Sequence, residues 1–191
     1  MTTVRTTWGR RLRILDFDIE NRPLSYLGQD FTTAEITAIA WKFIGESGMR
    51  CYLLGRDDPA SGLREFSGDA YATADMVTGH NIRKHDLKMV NGALMELGLP
   101  TLGPKLAHDT YMDLHRRSGI SASQENLAGM LGIKAAKVGM NTVAWREANR
   151  LTAPGLVLTE QRVRGDVLQH IELRARLLEL GMLRPPRIWK P

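Results

Sequence analysis

Apolar and acidic residues alternate near the start of the chain, where acidic side chains separate Leu15, Phe17 and Ile19. Side chains two positions apart on a β-strand point to the same face of the sheet. The alternation therefore predicts a first strand over 13–19, with its apolar face turned toward a core.

Two further apolar runs, 36–44 and 49–54, are rich in β-forming residues and are separated by a glycine-containing segment at 45–48. This arrangement predicts an antiparallel hairpin with a four-residue loop. Short apolar segments at 75–79 and 106–109 predict a fourth and a fifth strand.

Apolar residues recur at helical spacing over 87–97 and the pattern ends at Gly98. A capped short helix is predicted over 123–130, and a long helix over 159–180. The prolines at 185–186 end the helical pattern. The predicted fold is α/β: a mixed sheet of about five strands, the first three antiparallel, flanked by helices and followed by a helical C-terminal half.

The composition fits one domain over 1–191, because 191 residues with 43% hydrophobic content support one substantial core. We expect a basic N-terminal segment at 1–12 and a C-terminal tail at 184–191. The formal net charge of +5 and the sequence pI near 9.6 favour a polyanionic partner.

The single cysteine, Cys51, excludes an intrachain disulfide and a cysteine-rich zinc cluster. The N-terminal segment lacks the apolar centre of an export signal, and no apolar run approaches the ~18 residues of a membrane span. We therefore expect no membrane association and a cytoplasmic location, in the host cytoplasm if a phage encodes the protein.

Asp18 and Glu20 share the parity of the first strand and should lie side by side. Two adjacent carboxylates repel, but a hard divalent cation such as Mg²⁺ makes their proximity favourable. A solvent-facing acidic pair at a strand end is the alternative interpretation.

Two more acids stand at positions suited to the same site. Asp86 follows the predicted fourth strand and the segment His80-Asn81, and begins a helix, where it is either a metal ligand or a helix cap. Asp166 lies in the long C-terminal helix and would be a surface residue if considered alone.

In their order along the chain, these acids resemble the DEDD superfamily of 3′-to-5′ exonucleases, which includes the proofreading domains of DNA polymerases. Asp18 and Glu20 match the first motif of the family, Asp86 the second and Asp166 the third.

Flanking residues are similar to the polymerase-B-like branch, and in particular to predicted exonucleases of bacteria and phages. The matching stretches are Asn21-Arg22-Pro23-Leu24, Asn91 with Gly98-Leu99-Pro100, Asp109-Thr110, the run QENLAGMLG at 124–132, and Trp145. The resemblance spans most of the chain and implies a ribonuclease H-like fold.

The resemblance also implies two Mg²⁺ or Mn²⁺ ions about 4 Å apart. Asp18 would bridge both ions, Glu20 and Asp166 would complete the site of the ion that activates water, and Asp86 would act near the other. The implied partner is the 3′ end of a nucleic acid, with DNA favoured over RNA. A replication or repair protein is a further expected partner, and the sequence does not indicate an oligomeric state.

The third motif departs from the family, which usually places Tyr four residues or His five residues before its last acid. Here these positions hold Arg162 and Gln161, neither of which is an ordinary general base. His170, one helical turn beyond Asp166, is a possible substitute base. Arg162 would instead hold the scissile phosphate.

Ile19, Asn81 and Lys84 are expected to contact substrate together with Arg162. Other basic side chains are candidates for phosphate contacts, and four tryptophans are candidates for base stacking, although surface charge and core packing explain such residues equally well. These residues are Arg10, Arg11, Arg13, Arg83, Lys88, Trp8, Trp41, Trp145 and Trp189.

Asp16 is expected either to support the site from behind or to form a salt bridge. Asp109 is expected either to support the site or to cap a helix.

Two functions compete with the exonuclease. One is a nucleic-acid-binding module whose altered third motif has cost it activity. The other is a structure-specific endonuclease on the same fold.

Overall fold

The computed structural model describes residues 12–24, 34–115, 119–135 and 138–191. Residues 1–11 of the expected basic N-terminal segment lie outside these ranges. So do Trp8, Arg10 and Arg11, which were candidates for substrate contacts.

A six-stranded mixed sheet forms the centre of the described structure. Its strands are β1 (Ile14–Pro23), β2 (Ala34–Phe43), β3 (Arg50–Leu53), β4 (Met76–Gly79), β5 (Lys105–Asp109) and β6 (Arg187–Trp189). The strand order is β3-β2-β1-β4-β5-β6. The first three strands are antiparallel neighbours, as predicted, while β4 runs parallel to β1 and to β5.

Helices cover both faces of this sheet. They are α1 (Pro59–Arg64), α2 (Asp86–Glu96), α3 (Thr110–Leu114), α4 (Gln124–Met130), α5 (Thr142–Asn149) and α6 (Ala153–Glu179). Directly after α1 the chain continues as a π-helix over Glu65–Tyr71.

The main core lies on the face of β1 that carries Leu15, Phe17 and Ile19. These side chains pack with Phe66 of the π-helix and with α2 residues such as Leu87. The alternation in the sequence therefore assigned the correct face of this strand to the core.

The opposite face of the sheet is covered by α6. Val163 and Val167 of this helix pack on Ala38 and Ala40 of β2, all fully buried. Because alanine side chains are short, the helix backbone comes close to the sheet at this point. The acidic face of β1 is consequently brought against α6.

Several regions differ from the sequence prediction. Helices α3 and α5 were not predicted, and α6 begins at Ala153 instead of residue 159. Residues 187–189 were assigned to a tail, yet they form β6, which pairs antiparallel with β5 and buries Trp189 to 5% exposure. Burial of this indole supplies the driving force for a strand of only three residues.

The helical segment over 59–71 was not predicted. Its start carries a recognisable signal, because Asp58 caps α1 by accepting from the Ser61 N–H and Pro59 occupies the first turn. The apolar repeat that follows is short and interrupted by glycines. Among the described residues, no helix combines the length and the apolarity needed to cross a bilayer.

Gly79, at the end of β4, lies where the chain passes very close to β1. A Cβ at this position would overlap the Ile82 side chain and lie 2.8 Å from the carbonyl oxygen of Phe17. We expect Gly79→Ala to lower the free energy of unfolding by about 2 kcal/mol or more, because the β1 backbone has to shift. Urea denaturation followed by circular dichroism measures this change.

Gly92→Ala is the matched control, since Gly92 is exposed within α2 and a Cβ there meets nothing within 4 Å. This substitution should raise stability by about 0.5–1 kcal/mol through helix propensity. Equal changes in the free energy of unfolding for the two substitutions would show that the close approach at Gly79 does not affect stability.

Candidate active site

The acidic face of β1 and one face of α6 meet in matched register. Residues two apart on a strand are separated by ~6.6 Å, and residues four apart on a helix by ~6 Å, so alternate strand positions can face every fourth helix position. Three facing pairs result, in which residue numbers rise along the strand as they fall along the helix. They are Asp16 with His170, Asp18 with Asp166, and Glu20 with Arg162.

The first pair is sealed in the protein interior. Asp16 Oδ2 lies 2.6 Å from His170 Nδ1, and neither side chain is more than 2% exposed. Burial raises the pKa of Asp16, while the charges of His170 and Arg174 act to lower it. Asp16 is therefore paired with His170 in the interior, in a contact that is a salt bridge when the imidazole is protonated.

The third pair lies at the edge of a pocket. Arg162 Nε donates to Glu20 Oε1 at 2.5 Å, and Arg162 Nη1 donates to the Val138 carbonyl oxygen at 3.0 Å. The guanidinium also lies over the Trp145 ring, with Cζ 5.0 Å from the ring centroid. Trp145, a candidate for base stacking, thus has an intramolecular cation–π partner on one face of its ring.

The middle pair contains two acids instead of an acid and a base. One carboxylate oxygen from each of Asp18, Glu20 and Asp166 lies within 4.8 Å of the others. Such a cluster of like charges is costly unless cations neutralise it. Three hard oxygen ligands at this spacing fit Mg²⁺ or Mn²⁺, so the donor set suits the expected divalent metal.

The cluster opens into a pocket of about 470 Å³. Three elements contribute most of its wall: the end of β1, the loop after β4, and the α4–α6 interface. The lining residues are Asp18, Ile19, Glu20, Asn21, His80, Asn81, His85, Tyr111, Ser123, Gln124, Arg162 and Asp166.

Asp86, the fourth predicted acid, lies behind this pocket and does not belong to the three-carboxylate cluster. It is buried at the start of α2, and its carboxyl accepts hydrogen bonds from its own N–H and that of Ile19. Burial raises the pKa of Asp86 to about 7, and the negative charges of Asp109 and Glu20 act in the same direction. The structure therefore groups three of the four acids and places the fourth beneath them.

The loop between β4 and α2 is held in place by Asp109, at the end of β5. Its carboxylate accepts from the N–H groups of Asn81 and Arg83, each at 2.9 Å, and caps α3 by accepting from Met112 N–H. Asn81 has a positive φ of 70°, a conformation that Asn tolerates better than most residues. Asp109 thus shapes the pocket wall from behind while it caps α3.

A chain of buried hydrogen bonds joins the first pair to the pocket wall. Thr110 Oγ1 lies 3.0 Å from His170 Nε2 and 2.9 Å from His80 Nδ1. Both ring nitrogens of His170 are therefore occupied inside the protein, and His170 does not line the pocket. This geometry contradicts the prediction of His170 as a base acting directly on substrate; its position one turn beyond Asp166 faces Asp16 instead.

Among the residues expected to contact substrate, Ile19, Asn81 and Arg162 line the pocket, whereas Lys84 is exposed outside its lining. Trp41 and Trp189 are buried in the core.

Gln124, in the QENLAGMLG run, is a pocket residue whose position the sequence did not reveal. Its side-chain amide donates to the backbone oxygen of Asp166 at 3.0 Å and to Gln169 Oε1 at 3.2 Å. These bonds fix α4 on the helix turn that carries Asp166. His80 and Tyr111 were also missed as pocket residues, because their proximity depends on β4–β5 pairing and not on local spacing.

No protein-family model matches the sequence, and neither does any curated protein. The structure is similar to the family B DNA polymerase from the hyperthermophilic archaeon Pyrobaculum calidifontis, with a TM-score of 0.69 and 18% sequence identity. The alignment covers 91% of this chain and 25% of the polymerase chain, so this chain spans about a quarter of that protein. At this identity the similarity shows the fold alone, and the predicted ribonuclease H-like α/β fold is confirmed.

Asp86 should make metal-free stability depend on pH. Its pKa of about 7 in the folded protein exceeds the ordinary value of 3.8, so the stability linked to its protonation is fully present below about pH 4 and is lost as the pH rises through 7. Asp86→Asn should therefore stabilise the protein at pH 8, by at most about 1.4 kcal/mol for each pH unit between 3.8 and 7, and have little effect at pH 4. Urea denaturation in EDTA at both pH values tests this.

Asp69→Asn serves as the control, because Asp69 is exposed on the π-helix. It should change stability equally little at the two pH values. An effect of Asp86→Asn that is the same at pH 4 and pH 8 would contradict the raised pKa.

Asp16 and His170 should be energetically coupled. His170→Ala leaves a buried carboxyl without its partner and should cost about 3 kcal/mol of stability. The double substitution of both residues by Leu should cost clearly less than the sum of the two single Leu substitutions. A double-mutant cycle from urea denaturation measures the coupling, and strictly additive losses would show that the pair has no special energetic role.

Proposed function

We propose that this protein is a metal-dependent 3′-to-5′ exonuclease that hydrolyses phosphodiester bonds, with DNA the favoured substrate. The observation that carries the proposal is the convergence of Asp18, Glu20 and Asp166 within 4.8 Å at an open pocket. The same three acids match the DEDD pattern in order along the chain. The ribonuclease H-like fold supports this assignment.

In the proposed site Asp18, Glu20 and Asp166 hold the cations, and buried Asp86 acts from behind them. Two bound Mg²⁺ or Mn²⁺ ions would supply an acidified water and charge stabilisation at the leaving 3′ oxygen. Asp18 occupies the centre of the β1 face, between the pairs made by Asp16 and Glu20. This central place agrees with its expected role as the shared ligand.

The pocket wall supplies the substrate contacts. Asn81 offers an amide and Ile19 an apolar surface beside the carboxylates, and Tyr111 adds an aromatic ring. A formal net charge of +5 favours a polyanionic substrate. These features suit a nucleic-acid end better than a small neutral molecule.

The two positions at which the DEDD family carries its general base hold Gln161 and Arg162, neither of which is an ordinary base. Arg162 stays protonated, and both ring nitrogens of His170 are occupied in the interior. The proposed enzyme should therefore turn over slowly, with a rate that rises with pH.

The test uses a 5′-labelled single-stranded DNA and its RNA counterpart, each incubated with Mn²⁺ or Mg²⁺. Wild-type protein should shorten the DNA from its 3′ end and give a ladder of products. Asp18→Ala should lower the rate by at least about 100-fold, since catalysis rests on the ligand set, while its circular dichroism spectrum stays unchanged. Asp69→Ala, which removes an exposed acid outside the pocket, should cleave like the wild type.

The competing functions give different results in the same assay. Cleavage of circular or 3′-blocked DNA would identify an endonuclease. Tight binding of DNA without cleavage in any metal would identify a binding module. Full activity of Asp18→Ala would reject the site assignment itself.

A further inference from the structure

We infer that Arg162 is a built-in counter-ion of the carboxylate cluster, which has to release Glu20 before a divalent cation binds, and that it thereby sets the metal affinity of the site. The inference rests on the proposed function, since it concerns the same three carboxylates. It concerns the position at which the chain departs from the DEDD pattern.

The contacts of Arg162 place a positive charge inside the cluster. Its Nε donates to Glu20 Oε1 at 2.5 Å, and its Nη2 lies 3.9 Å from Asp166 Oδ2. The side chains of Arg162 and Glu20 are only 16% and 11% exposed. The pair is therefore shielded from water far better than a surface ion pair, and its attraction is correspondingly stronger.

The Arg162 pair and cation binding compete for one carboxylate. A cation bound at Glu20 would stand within a few ångströms of the guanidinium, and like charges this close in a partly buried site repel strongly. Glu20 is one of the three ligands in the cluster, so full coordination requires the arginine to withdraw.

Other contacts would keep the withdrawn guanidinium at the pocket wall. Arg162 Nη1 donates to the Val138 carbonyl oxygen at 3.0 Å, and Trp145 lies beneath the guanidinium. Neither contact involves Glu20, so both can persist after the ion pair breaks. The donor released from Glu20 then faces the pocket, where a phosphate oxygen is its natural new partner.

The experiment measures Mn²⁺ affinity from the electron paramagnetic resonance signal of the free ion, without nucleic acid. Arg162→Gln removes the charge and should tighten Mn²⁺ binding about tenfold, which corresponds to about 1.4 kcal/mol. Arg164→Gln is the matched control, because Arg164 lies on the same helix and pairs with Glu160 at 2.9 Å, outside the pocket lining. It loses the same charge and should stay within about twofold of the wild-type dissociation constant.

Arg162→Lys provides a second variant, which keeps the charge but loses the planar donor group. It should bind Mn²⁺ with an affinity much closer to that of the wild type than to that of Arg162→Gln. A thermal melt adds an independent readout: without metal Arg162→Gln should melt below the wild type, and its gain in melting temperature on adding Mn²⁺ should be larger.

Unchanged or weaker Mn²⁺ binding by a folded Arg162→Gln variant would overturn the inference, even if the wild type cleaves DNA. Tighter binding by this variant, together with no cleavage of any nucleic acid, would support the inference and reject the exonuclease. Failure of both the wild type and Arg162→Gln to bind Mn²⁺ would overturn both.

Discussion

The register between β1 and α6 is the constraint on which the candidate site depends. Alternate side chains of the strand face every fourth side chain of the helix, so three acids of β1 each meet a defined partner. Small residues at Ala38 and Ala40 allow the helix to lie close to the sheet. Without this close contact, the buried acids would have no partners to offset the cost of removing them from water.

The three facing pairs differ in their surroundings: the first is buried in the interior, and the other two line the pocket. Asp16 and His170 form a buried pair between the strand and the helix, while Asp18, Glu20 and Asp166 bring three carboxylates together at the pocket. Asp109 and Gln124 hold the surrounding loop and helix from the side. The site is thus a local concentration of unfavourable charge supported by favourable contacts around it, an arrangement common at functional sites.

Local patterns in the sequence were sufficient for the acidic face of β1, the leading hairpin and the long helix. They could not show that His170 faces inward, because helical spacing relates it to Asp166 but does not reveal which neighbour it meets. The pocket role of Tyr111 and the strand at Trp189 were equally hidden, since both follow from strand pairing between distant segments. The grouping of Asp18 with Glu20 was predictable because it depends only on strand parity.

The matched repeat of β1 and α6 also limits how this sequence can diverge. One residue inserted between Arg162 and His170 would turn the rest of the helix by about 100° about its axis and carry His170 away from Asp16. Substitutions in the same stretch leave the other positions in phase. This segment should therefore conserve its length more strictly than its composition, and the spacing of a few polar residues is the trait by which distant relatives can be recognised.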